Sequence, residues 1–312
     1  MKQAVFRAPP QLSPGDSIGV FAPAGPFEAA LTWRALGFLS KRYRVKFERS
    51  MFRRTGYLAV SDERRRDELS SLLSDASVRA IFAARGGYGS HRILADVDWE
   101  AFARSPKWIV GFSDITALHV EAARMRIASL HACHVTALGR SEAVTRDALI
   151  QSLEHPQAPR AWNNLKVIHP GAAQGVLFGG NLTMLHASAA AQRLHVPDGS
   201  ILLLEDVTER PYRVDRMLTT LELGGYFHGV RGVVLGDFTD CNPGPDGVTI
   251  EEVLHERLQR LGVPVVSGAP FGHALRNEPF VIGAPARLDA RAAEGQLAWS
   301  GSASTKTDSC VP

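Results

Sequence analysis

The chain has 312 residues, 45% of them hydrophobic and 21% charged, with a formal net charge of +3. That is the make-up of an ordinary globular protein with room for a large core and two domains, and so nearly balanced a charge gives no electrostatic case for a nucleic-acid partner. Three scattered cysteines (Cys133, Cys241, Cys310) rule out a disulfide framework and suit a reducing compartment, no apolar run approaches membrane-spanning length, and residues 1–10 lack a secretory h-region. The expectation is a cytoplasmic protein with neither a nucleic-acid nor a membrane partner.

Taken in order, Ser17 to Ala22 reads as a first strand, ended by Pro23-Ala24-Gly25-Pro26. A helix follows from about Phe27 to Lys41, then a short strand at Val45 to Phe47. Ser61, with acidic residues behind it, announces a helix that turns Leu69, Leu72 and Leu73 inward. The triplet Arg64-Arg65-Arg66 in that helix lies among acids and reads as a solvated face. Val78 to Ala84 is the next strand. It stops at Arg85-Gly86-Gly87-Tyr88-Gly89, which opens a helix through His91, Ile93 and Leu94.

Lys107 to His119 is the stretch on which the reading turns. Trp108-Ile109-Val110-Gly111 is a buried parallel strand by composition, and Ile115, Leu118 and Ala122 share one face of the helix behind it. Ser113 stands at the join, where a hydroxyl either caps the helix or projects above the sheet as a nucleophile beside the first-turn amides. The Gly-x-Ser-x-Gly elbow is not met, because Ile115 replaces its second glycine.

A strand near Ile127 to His131 follows. Around Pro156, Pro159 and Pro170 the periodicity lapses, which marks a linker and divides the chain into 1–160 and 161–300, with a disordered tail over 301–312. The second half restarts with a strand at Gln174 to Phe178, a Gly179-Gly180-Asn181 turn, and a helix through Leu182, Leu185 and Ala189. Ile201 to Leu204 is a strongly apolar strand ending in Glu205-Asp206. A helix near Val214 to Leu223, a strand at Gly232 to Asp237, a helix near Ile250 to Leu261 and a strand at Val263 to Ser267 complete the alternation. Short strands with turns at Gly283 and Gly295 close it. There is no internal repeat. Strands alternating with helices give an α/β fold with a parallel sheet covered on both faces.

Ligand sites in such sheets lie beyond the C-terminal strand ends. That rule selects Pro23–Pro26, Arg85–Gly89, Ser113-Asp114, Glu205-Asp206 and Phe271-Gly272-His273. A nucleophilic serine needs a base and a group to orient that base. His119 is set aside, since six residues along a helix turn it about 600° and lift it about 9 Å. His131 and His134 with Cys133 could be a metal set, but they lack the glutamate and third ligand of a zinc motif. His273 follows a glycine that permits close backbone approach; it is either a loop histidine bonded to a carbonyl or the base. Glu205 starts from a nearly buried position and needs a partner, with Asp206 as the competing orienter, since only one of the two can share the inward direction. The Arg85–Gly89 turn is a flexible loop, a phosphate cradle, or a source of an amide that joins Asp114 in an oxyanion hole; it is not a P-loop.

Six stretches in order, GDSIGVFAPAGP, ARGGYGS, IVGFSDITALH, LFGGNLTML, LLLEDVTERPYRVDRML and GAPFGH with the trailing NEPFVIGAPARLD, resemble the bacterial LD-carboxypeptidases, the serine peptidases that include the microcin C immunity peptidases. The resemblance covers about nine-tenths of the chain by its span. It implies a flavodoxin-like N-terminal domain with a smaller β-rich C-terminal domain, a homodimer, no cofactor and no metal. It implies Ser113 as nucleophile, Glu205 as orienter and His273 as base, with oxyanion amides from Asp114 and from Gly86 or Gly87. The implied substrate is a small peptide, the murein tetrapeptide, which loses its terminal D-alanine in peptidoglycan recycling. The family's His-Gly-Pro after the following strand reads His131-Ala132-Cys133 here, which bears on substrate preference. The immunity branch cleaves aminoacyl-nucleotide amides and adds aromatic loop residues over the nucleotide; no such insertion is found here, which favours the murein branch. A sensor that binds muropeptides without cleaving them is the alternative from another class.

Overall fold

The computed structural model describes residues 4–301, so all of the expected tail over 301–312 except Gly301, which is buried, lies outside the described residues, Cys310 included. Among the described residues thirteen strands are arranged in two sheets. The first uses β1 (Ser17–Phe21), β2 (Arg44–Phe47), β3 (Val78–Ala83), β4 (Trp108–Gly111) and β5 (Ser129–His131). The second uses β6 (Arg160–His169), β7 (Ala172–Asn181), β8 (Ser200–Val207), β9 (Gly232–Thr239) and β10 (Val265–Ser267). Beyond these, β11 (Phe280–Ile282) returns to the first sheet, while β12 (Pro285–Asp289) and β13 (Glu294–Trp299) complete the second.

The first sheet has the order β11-β5-β4-β3-β1-β2. Its strands β1 to β5 are all parallel and β11 adds antiparallel to β5. This is the flavodoxin order 2-1-3-4-5, whose ligand crevice opens where the winding reverses between β1 and β3. The loops after β1, β3 and β4 therefore converge on one edge. The second sheet closes into a barrel, β10-β6-β13-β12-β7-β8-β9, parallel from β7 to β10 and antiparallel elsewhere. The fold is thus a parallel α/β layer joined to a β-rich barrel, as expected. No helix among the described residues is long and apolar enough to cross a membrane.

The local signals explain most elements. Every residue of β4 is buried, as a strand with helices on both faces requires. Ser61 Oγ accepts from the Arg64 amide at 3.4 Å, and Asp62 and Glu63 occupy the first turn of the helix Asp62–Ser74. A reciprocal Thr249–Glu252 capping box starts the helix Ile250–Gln259.

Four expectations are corrected. The segment read as a linker contains β6, whose burial is irregular because one side faces solvent, so its apolar spacing is too weak to read as a strand. Gly179-Gly180 is not a turn: β7 runs through both glycines, at φ 137° and 141°, because Cβ atoms there would lie 2.0 Å from the Leu203 carbonyl and 2.6 Å from Thr116 Oγ1. The helix expected after Gly89 is two short 3-10 turns, Ser90–Arg92 and Leu94–Asp96, entered through left-handed glycines at 87 and 89. Arg65 is not solvated. It is fully buried and its guanidinium donates to the carbonyls of Pro23 and Gly89 and to Asp62, tying two site loops to one helix. The helices Trp99–Arg104 and Ala143–Glu154 had no strong periodic signal and were not expected.

Candidate active site

The helix Thr116–Arg124 is the wall between the two sheets. A single apolar face was expected, yet every residue from Thr116 to Ala123 is buried, because the barrel covers its far side. Glu121 on that far side is fully buried and meets Arg124 at 2.8 Å and Arg193 at 2.5 Å. Thr116 Oγ1 accepts from the Asn181 amide at 3.1 Å, which joins the helix to the end of β7.

Ser113 lies between β4 and that helix, as the first residue of a 3-10 turn, with φ 65°. A side chain on left-handed backbone is strained, and it aims the hydroxyl away from the helix rather than back onto its amides. Ser113 makes no capping bond, so the N-cap reading fails. Its Oγ lies 3.0 Å from His273 Nε2, and His273 Nδ1 lies 2.6 Å from Glu205 Oε2. An ionised carboxylate can only accept, so Nδ1 carries the proton and neutral Nε2 is left to accept from the serine hydroxyl.

Each partner is placed by its own strand end. Glu205 is the sixth residue of β8 and fully buried at the barrel's rim. Gly272 (φ 127°) brings the His273 backbone against it, since a Cβ at 272 would stand 3.2 Å from the Cβ atoms of both Glu205 and Asp237. The Phe112 ring, 4.9 Å from the imidazole, braces His273 from the Ser113 side. Burial opposes protonation of His273, but the hydrogen bond and charge of Glu205, with Asp206 and Asp237 behind, outweigh it and raise its pKa above the ordinary value.

Asp206 turns to the opposite side of β8. It accepts from Asn181 Nδ2 at 3.0 Å and from the Thr183 amide and hydroxyl at 2.8 Å, which caps the helix Leu182–Ala190. Burial, then the neighbouring Glu205 charge, pushes its carboxyl up to about 6.

Around Ser113 the loops pack closely. A Cβ at Gly86 would lie 3.0 Å from Ser113 Cβ and 3.3 Å from the Asp114 amide nitrogen. Gly87 (φ 108°) backs onto Gly25, whose amide donates to the Gly86 carbonyl at 3.1 Å. The Asp114 side chain points inward and accepts from the Ser90 amide at 2.9 Å; burial raises its pKa.

The other candidate histidines, His119, His131 and His134, are core residues. His119 bonds Ser129 Oγ and the Gly111 carbonyl, each at 2.9 Å, and burial lowers its pKa to about 4. His131 stacks on Phe280 at 4.5 Å, and His134 Nδ1 accepts from the Ala137 amide at 3.1 Å. Among the described residues no three His, Cys, Asp or Glu side chains are grouped to hold a metal ion. Sequence reasoning missed Phe112, Thr116 and Arg65. Only Phe112, adjacent to the serine, offered a positional hint.

A parallel α/β layer and a closed barrel that share a hydroxyl, an imidazole and a buried carboxylate in one hydrogen-bonded row define a hydrolase-like α/β protein. The chain belongs to the LD-carboxypeptidase family: the family's N-terminal domain model matches residues 18–132 and its C-terminal domain model residues 174–288. By that membership it is a peptidase. Murein tetrapeptide carboxypeptidase of Pseudomonas aeruginosa is 34% identical over 245 residues, covering 75% of this chain and 80% of its own. The crystal structure of muramoyltetrapeptide carboxypeptidase from Oxalobacter formigenes superposes with a TM-score of 0.83 at 30% identity, over 93% of this chain and all of that one. The structure of MccF in complex with glutamyl sulfamoyl guanosine has a TM-score of 0.84 at 21% identity, covering 96% and 99%, a likeness of fold alone.

Proposed function

We propose that the chain is a serine carboxypeptidase that removes the C-terminal D-amino acid, D-alanine, from murein tetrapeptide. The observation that carries this reading is His273 held between Glu205 and Ser113 at hydrogen-bonding distance on both sides. Ser113 Oγ attacks the carbonyl carbon of the terminal peptide bond while His273 Nε2 takes its proton. The oxyanion that forms is held by the amides of Asp114 and of Gly86 or Gly87. As the tetrahedral intermediate collapses, His273 returns the proton to the departing amine, leaving an acyl-serine. Water, deprotonated by the same imidazole, then releases the shortened peptide and restores the serine. Glu205 fixes the tautomer and balances the imidazolium, and its burial keeps that charge close and unscreened.

The murein substrate is supported by the names of the relatives from Pseudomonas aeruginosa and Oxalobacter formigenes and by the absence of an aromatic insertion in the sequence. Ser113→Ala is expected to eliminate D-alanine release from murein tetrapeptide while circular dichroism and the unfolding midpoint stay near those of the parent. A variant that retains a substantial part of the parent rate would overturn the assignment. Parallel assays with a peptidyl-nucleotide amide separate the immunity-type reaction, and tight tetrapeptide binding without turnover would mark a sensor.

A further inference from the structure

A cavity of about 280 Å³ opens on the His273 side of the site, walled by Phe112, His273 and Leu275, with Arg140 and Asn277 among its lining residues. Two donors on its lining residues have no partner. The Arg140 guanidinium makes no hydrogen bond or ion pair among the described residues. Asn277 is 2% exposed, and its Oδ1 accepts from the Gly272 amide at 3.3 Å, which fixes the orientation of the amide group. Its Nδ2 is left buried with no partner. A buried donor without an acceptor costs free energy, and a ligand that supplies one recovers it. No aspartate or glutamate lines the cavity, so its only fixed charge is positive.

A free guanidinium, an orphaned amide donor and an apolar wall together suit a small carboxylate with a short aliphatic side chain. The cavity's place in the site indicates which part of the substrate enters it. In the mechanism proposed above, on which this inference rests, His273 hands its proton to the leaving amine. The departing residue must therefore lie against His273, with the rest of the peptide on the Gly86 side of Ser113. We propose that this cavity is the leaving-group subsite, in which Arg140 and Asn277 Nδ2 bind the α-carboxylate of the C-terminal D-residue. The arrangement makes the enzyme an exopeptidase: a chain continuing past that residue would present a neutral amide to Arg140 and leave the cation unpaired.

The test uses a synthetic tetrapeptide ending in L-lysyl-D-alanine and its C-terminal carboxamide, with release of D-alanine or D-alaninamide measured for the full chain. The parent protein is expected to prefer the free acid. Arg140→Gln, at an exposed position, should lower kcat/KM on the acid by roughly 10- to 150-fold while changing the carboxamide by less than about 3-fold, so that the preference collapses. Arg140→Lys should recover part of it. Asn277→Asp, which keeps the acceptor for Gly272 and removes the spare donor, should also erode the acid preference. An equal loss on acid and carboxamide in Arg140→Gln overturns the subsite and leaves the peptidase intact. Failure of the parent protein to cleave either peptide overturns the peptidase reading and the subsite with it.

Discussion

At the scale of single residues, the pH dependence of the site has a definite sign. His273 can take the serine proton only when neutral, and Glu205 holds its pKa above the usual imidazole value against the effect of burial. For the peptidase, kcat/KM should therefore rise with pH along a limb whose midpoint lies above 6.5, the ordinary value for a histidine. Glu205→Gln removes the nearest charge that favours imidazolium and leaves burial opposed only by the more distant Asp206 and Asp237, so the limb should move to lower pH. The same variant should lower kcat by on the order of 10⁴-fold, because the amide no longer enforces the Nδ1–H tautomer. A pH–rate profile of both proteins checks the two effects together; a limb that stays in place would separate Glu205 from His273. The stability linkage has the matching sign. The raised His273 pKa stabilises the folded state below the unfolded value, and that contribution is lost as pH rises through the folded one.

At the scale of elements, the join between helix Thr116–Arg124 and β7 holds the two halves of the site in register. Thr116 Oγ1 is the acceptor for the Asn181 amide, and both groups are buried. Thr116→Val keeps the shape and removes the acceptor, so it should cost about 1–3 kcal/mol, the usual penalty for a buried donor left unpaired. Urea denaturation measures this, and a change below about 0.5 kcal/mol would show that the contact is replaced by water or relaxation. Glycines 179 and 180 show why this element was misread. Their composition signals a turn, but their left-handed backbone serves a strand pressed against Leu203 and Thr116. A local rule cannot sense a neighbour that arrives from far along the chain.

At the scale of the whole molecule, the two sheets are not independent bodies. β11 leaves the barrel half of the chain to pair with β5, Phe280 opposite His131 and Ile282 opposite Ser129. The helix Thr116–Arg124 is buried all round only because the barrel covers it. A polypeptide that ends at residue 160 would expose that helix and an unpaired β5 edge. It is expected to unfold without a cooperative transition and to bind a hydrophobic dye, measured by thermal melting and fluorescence against the full chain. A sharp melting transition in the fragment would show that the first sheet is autonomous.

The amino-acid sequence by itself determined the class of fold, since apolar strands and amphipathic helices alternate under short-range rules, and it determined which strand ends hold reactive side chains. Ser113, Glu205 and His273 were all legible as strand-end residues, each with a bland alternative that local spacing could not remove. Tertiary structure decided that the three meet, because 160 residues separate the hydroxyl from the imidazole and only the folded chain brings them to 3.0 Å. It also decided what no periodicity carries: Arg65 buried under two loops, a left-handed serine, and an Asn277 amide buried without a partner. Hydrophobic pattern is a property of neighbours in the chain, whereas the pairing of buried polar groups is a property of neighbours in space.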